Sequence, residues 1–326
     1  MTKNIYLLLF SLVLFSCNGD KNSKLHLPSV NGKSGEILLI LEEDYWNDSI
    51  GKHFKDILMS ETPALPQDEP LFDISQIPNE GFTKVMQASR NIIRVNIQEG
   101  LKPAINFRKD VWAAPQAIIK MQAGNEADFL VLLDTYSTKI VDFLLEAERH
   151  RNLLRAQQYE AIEIERKLKS KYNIDMIIPE DFQLYSERKD FVWLSKETRN
   201  YQMGIVVYYY NYTDTATFTK EYLINKRDSV LKVNIPGANK GSYMTTERRV
   251  EPLLTHLKFK GQYFAEVRGI WDMVNDAMGG PFVSYTMLDK KNNRIITAEG
   301  FVYYPNNNKR ELVRQLEAIL LTLKVK

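Results

Sequence analysis

The stretch "RIITAEGFVYYPNNNKRELVRQLEAILLTL", residues 294–323, decides the fold class. Its opening part, 294–304, is dense in β-branched and aromatic residues and reads as a strand, which Pro305 and three asparagines then end. From residue 309 onward Leu312, Leu316, Ile319, Leu320 and Leu323 share one face of a helix. A strand running straight into an amphipathic helix buries that helix on its own sheet, which is the layering of an α+β protein.

Working outward, residues 191–194, 201–212, 263–270 and 282–288 are strand-like, with 289–293 as a hairpin turn and 218–231 as a helix. The upstream half ends in the same way, with a strand at 117–121 leading into a helix at 125–145. Strands at 35–41 and 92–97 and an amphipathic helix at 44–58, with Trp46, Ile50, Phe54 and Leu58 at helical spacing, complete that half. Neither Gly nor Pro occurs between 125 and 171, and the second part of this segment is charge-dense, with pairs such as Glu163 and Lys167. It is expected to run over the surface as a bridge. The prediction is therefore an α+β fold of antiparallel-rich sheets, each covered by helices: a unit at 35–122, a long helical segment at 123–172 and a second unit at 173–326. A diverged duplication stays open, because no residue-level repeat accompanies the matching endings.

Ahead of these units, residues 5–15 form an apolar block behind Lys3, too short for a membrane span of about 20 residues. Leu14-Phe15-Ser16-Cys17 follows, with the only cysteine of the chain placed as a bacterial lipobox places its lipidated thiol. Residues 1–16 are then a signal peptide and 17–34 a lipidated cysteine with a polar, turn-rich leash. With no further cysteine no disulfide can form, so stability must come from the core. The expected address is the cell envelope, on the outer membrane facing the periplasm, with the cell surface as the alternative. The partners expected are the lipid bilayer, through acylated Cys17, and an envelope protein or glycan.

Composition adds bounds. With 44% hydrophobic and 26% charged residues the chain is an ordinary globular protein. Lys+Arg 43 against Asp+Glu 41 is close to balance, which gives no electrostatic case for a nucleic-acid partner. His26, His53, His150 and His256 lack metal-ligand spacing, and no nucleophile elbow, P-loop or dinucleotide fingerprint occurs, so neither a metal nor a cofactor is implied.

Two segments offer candidate sites. In "RGIWDMVNDAMGGPF", residues 268–282, Gly279 and Gly280 ahead of Pro281 suggest a sharp loop with backbone N–H groups free for an anion. Arg268, Trp271, Asp272 and Asp276 stand beside them as pocket residues. Glu266, Asp272, Asp276 and Glu299 are carboxylates from which a glycosidase pair can in principle be drawn. Tyr208, Tyr210 and Tyr212 alternate along one strand face as a possible sugar platform, which a helix packed over them would hide.

Together with the lipobox, "FVWLSKETRNYQMGIVVY", "LINKRDSVLKVNIPG", "RGIWDMVNDAMGGPFVSY" and "ITAEGFVYYPNNNKRELVRQLEAIL" resemble the Bacteroidota lipoproteins of domain of unknown function 4837. The resemblance carries no catalytic residue. Enzymatic activity is thus left open, with the weight on a non-enzymatic binding or assembly factor. The alternative is an envelope hydrolase acting on glycan or lipid through residues 268–282. Cys17→Ser should move the protein from the membrane to the soluble fraction and abolish incorporation of labelled palmitate; membrane retention with labelling intact would refute the lipobox.

Overall fold

The computed structural model describes residues 27–325, so Cys17, the signal peptide and the first part of the leash lie outside the described residues. The N-terminal half contains β1 (Glu36–Ile40), α1 (Glu43–Trp46), α2 (Ser49–Leu58), β2 (Asp73–Ile77), β3 (Asn91–Ile97), β4 (Ala104–Lys109) and β5 (Ala117–Ala123). Its sheet has the order β2-β1-β3-β5-β4, parallel except for the antiparallel edge strand β4. Parallel strands in register put Ile37, Leu39, Ile93, Ile119 and Met121 on one face, against Phe54 and the long helix α3 (Glu126–Gln158). Leu38, Ile40, Ile92 and Ile118 point the other way, under Phe82 and Trp112, whose rings meet edge to face at 5.5 Å. The helix expected over 44–58 is two helices, because Asp48 caps a new start by accepting from the Ser49 N–H at 2.8 Å.

After α3 come α4 (Ile162–Tyr172), the short β6 (Ile174–Asp175), β7 (Gln183–Arg188), β8 (Phe191–Glu197), β9 (Gln202–Asn211) and α5 (Lys220–Asn234). The remaining elements are β10 (Tyr243–Thr246), β11 (Leu253–Phe259), β12 (Gln262–Val274), β13 (Gly279–Asp289), β14 (Arg294–Tyr303), α6 (Arg310–Leu320) and β15 (Lys324–Val325), which pairs with β6. One antiparallel sheet runs β10-β12-β13-β14-β9-β8-β7, with β11 also on β12. Alternation along β14 sends Ile296, Ala298 and Val302 to the α6 face and Phe301 to the α5 face.

The α+β class thus holds, and its antiparallel character comes from this second sheet. The halves are not copies of one another, since one sheet is mainly parallel and the other antiparallel. Helix α3 packs on the first sheet with Phe129, Leu133, Ile140 and Leu144, while α6 covers the second with Val313, Leu316, Ile319 and Leu320. The two helices face each other and form the seam between the halves. The charge-dense part of α3 is only partly solvated: Glu146, His150 and Arg155 are exposed, while Glu148 and Arg151 are buried.

Helix α6 sits close enough to β14 that a Cβ on Gly300 would come within 2.8 Å of the Leu316 Cβ. Leu316 is fully buried, so Leu316→Ala should cost about 2–5 kcal/mol. Urea denaturation would show this as a lowered midpoint with an unchanged slope.

Candidate functional site

Residues 268–282 are a hairpin of two long strands, not a loop. Arg268 pairs with Val283, Trp271 with Gly280 and Asp272 with Gly279, and the turn is made by Asn275 at φ 60°. Gly279 and Gly280 lie in β13. Gly280 is needed there because a Cβ would fall 2.0 Å from the Val302 carbonyl oxygen. The expected anion nest is absent for that reason.

Nor does the hairpin gather its candidate residues. Arg268 turns to the α6 side and Trp271 to the α5 side, where its indole N–H donates to the Val302 carbonyl at 3.2 Å. Asp272 accepts from the Met273 N–H, and Asp276 from the Ala277 and Ala238 N–H groups. Glu266 takes two hydrogen bonds from Arg268, at 2.8 and 3.0 Å. Glu299 is fully buried and receives Arg227 of α5 through two more, at 2.9 and 2.8 Å. Burial pushes its carboxyl up even against that guanidinium. Arg227 also lies 3.8 Å over the Phe282 ring and donates to Thr246.

The tyrosines are covered. Tyr208 is buried, Tyr210 stacks on it at 6.4 Å, and Tyr222 and Lys226 of α5 close over Tyr210. Burial holds both phenols above their ordinary range. Tyr212 lies beyond the end of β9, where its N–H donates to Asn293. The three do not form an open platform.

The seam carries no signal in the amino-acid sequence. Glu69, which sits in the proline-punctuated connection between α2 and β2, is 2% exposed. Its carboxylate accepts the backbone N–H groups of Lys309 and Arg310 at 2.7 and 2.9 Å. These are orphan donors of α6, whose own N-cap residue supplies no side-chain bond. Arg310 reaches back to the Pro70 carbonyl at 2.5 Å and to Asp73 at 2.7 Å, and Arg314 to the Leu71 carbonyl at 2.6 Å. Burial pulls the Lys309 ammonium and the Arg314 guanidinium down.

Deeper in, Glu148 of α3 binds Arg90 at 2.8 Å, Asn91 at 2.8 Å and Arg151 at 3.2 Å. Burial pushes Arg151 down to about 10, opposed by Glu148. On the α6 side Arg268 is shared between Glu266 and Glu317. Burial alone would lower this guanidinium, but the two carboxylates hold it above its ordinary value. Between these clusters the seam opens two cavities, of about 380 and 520 Å³, that share Leu145 and Arg149 of α3.

Among the described residues no group of three His, Cys, Asp or Glu side chains is placed to hold a metal ion, and no helix is long and apolar enough to cross a membrane. Glu69→Ala should leave two buried N–H groups unpaired and destabilise the protein by about 1–3 kcal/mol for each. Glu69→Gln, which keeps one acceptor, should recover part of that loss; thermal melting of both variants beside the wild type checks this.

Two families match the chain. Residues 161–322 match the one described as Domain of unknown function (DUF4837), and residues 30–157 the one described as Domain of unknown function (DUF8532). The gap between the matches falls where α3 ends and α4 begins. No curated protein matches the chain. Among solved structures, the Ran-binding protein Mog1p of Saccharomyces cerevisiae is 10% identical, with 47% of this chain and 90% of that one covered and a TM-score of 0.32. A mutant of protein Mog1 is likewise 10% identical, with 47% and 90% covered and a TM-score of 0.30. Through its C-terminal half, from α4 to α6, the chain belongs to the family described as Domain of unknown function (DUF4837).

Proposed function

We propose that this protein is a non-enzymatic binding or assembly factor of the cell envelope, tethered to the membrane through a lipidated Cys17. The observation that carries the non-enzymatic part is the fate of the carboxylates. An acid–base pair must reach substrate with adjustable protonation. Glu266 and Glu299 are each fixed by two hydrogen bonds from an arginine, and Asp272 and Asp276 by backbone N–H groups of their own hairpin or its neighbour.

The sequence motif at Leu14-Phe15-Ser16-Cys17 supports the tether. Where the described chain begins, Ser29 bridges to Ala114 and Asn31 to Ser89, so a tether would join the body on its N-terminal half. A binding surface is then presented by two halves whose mutual position is fixed by buried charge.

The test is crosslinking and affinity purification of the full-length protein from its own membranes, with Asp272→Asn and Asp276→Asn run beside the wild type. A binding factor should recover the same stoichiometric partner with all three. Hydrolysis of envelope glycan or lipid by the wild type, abolished in either variant, would replace this reading with the hydrolase.

A further inference from the structure

We infer that the open face of the N-terminal sheet binds an acidic glycan, a sugar chain carrying carboxylate groups, with Arg94, Lys120 and Arg108 as its cations. This deepens the binding reading by naming a partner class, and it rests on that reading without using the lipid anchor. The sheet is covered unequally. Helices α2 and α3 pack on one side of its mainly parallel strands, whereas the apolar cover of the other side comes from Phe82, Val111 and Trp112 in connecting segments. Sheets of parallel strands are ordinarily buried on both faces. Here the second halves of β3 and β5 turn Arg94, Asn96 and Lys120 to solvent on that side.

Strand register sets these side chains out as a grid. Arg94 of β3 stands beside Lys120 of β5, which stands beside Asn106 of β4; Asn96 and Gln122 are paired in the next row, and Arg108 lies two residues along from Asn106. The cations step across β3, β5 and β4 one strand at a time, at about 4.8 Å per strand. Like charges in neighbouring positions repel, so Arg94 beside Lys120 is a cost to the fold. Among the described residues no carboxylate relieves it. Arg94 Nε donates to Asn79 at 3.4 Å, Arg108 Nε donates to Asn106 at 3.1 Å, and the Lys120 ammonium lies 5.7 Å over the Trp112 ring. Glu42, just past β1, is turned to Asn79, whose backbone and side-chain N–H groups it accepts at 3.3 and 2.7 Å.

Charge and amide chemistry identify the occupant. A groove of about 610 Å³ runs over this grid, and among the described residues no acid lines it, so its complement is an anion. The chain's own leading segment does not supply one, because Lys21 and Lys24 outnumber Asp20 there. The carboxamides of Asn79, Asn96, Asn106 and Gln122 both donate and accept, as sugar hydroxyls require, and a guanidinium fork takes a carboxylate through paired N–H bonds. The groove also lies where the strand order turns back: β1 leads to β2 on one side, while β3 lies on its other side. Open sheets of parallel strands bind ligands at the carboxyl ends of the strands beside such a point.

Titration calorimetry on the full-length protein in detergent tests the site with tetragalacturonate, neutral cellotetraose and tetraglutamate. Tetragalacturonate should bind at least tenfold more tightly than either of the others. Arg94→Gln and Lys120→Gln should each weaken it about tenfold, the loss of one charged hydrogen bond, with a melting temperature unchanged or raised because the repulsion is relieved. Lys169→Gln, at an exposed position on α4, should leave the affinity as it is. Tetragalacturonate no tighter than cellotetraose, or a loss in Lys169→Gln equal to that in Arg94→Gln, would overturn the site; tetraglutamate binding as tightly would replace the glycan with an acidic peptide. Calorimetry reads the site whatever the membranes yield, and partner capture by the wild type upholds the tethered-binding reading whatever the calorimetry shows.

Discussion

The carboxylate of Glu69 on the first turn of α6 is the contact on which the arrangement of the two halves rests. A helix start leaves N–H groups that need acceptors, and here a residue from the other half provides them. Arg310 and Arg314 return the contact to backbone carbonyls at residues 70 and 71, so the two segments hold each other by main-chain groups in both directions. Such bonds do not tolerate sliding. A shift of α6 by one residue would exchange the donors that face Glu69 and withdraw both arginines from their acceptors.

Around that contact the seam is built from buried ions rather than from a plain apolar face. Replacing a buried ion pair by well-packed hydrocarbon is often neutral or stabilising, whereas removing one partner alone costs about 3–5 kcal/mol. The clusters centred on Glu148 and Arg268 therefore add little to net stability and much to uniqueness of position.

The elements legible in the sequence are those in which one face is uniformly apolar. The Leu312, Leu316, Ile319 and Leu320 stripe announced α6, and the β-branched runs announced β1, β3, β5 and β14. Strands β2, β4, β7 and β11 escaped notice because they lie at or near sheet edges and bury little, so their patterns are too polar to stand out. Gly279-Gly280-Pro281 suggested a turn, but Pro281 lies just outside the β13–β14 ladder, which begins at Phe282, and is tolerated in a strand there. The seam was illegible for a different reason. Charge in a helix reads as solvent-facing unless its partner is known, and the partners of Glu69, Glu148 and Arg310 are set by tertiary contact alone.

The acceptor that completes α6 is made 240 residues before the helix it caps. Chains emerge from the ribosome or the translocon N-terminus first, and domains tend to fold as units in that order. The parallel sheet packs on α2 and α3, all from the N-terminal half, while α6, the last of the described helices, takes its cap from that half. A chain whose N-terminal half is misassembled therefore leaves those N–H groups of α6 without their acceptor, so the start of this helix depends on the folding of a segment 240 residues away.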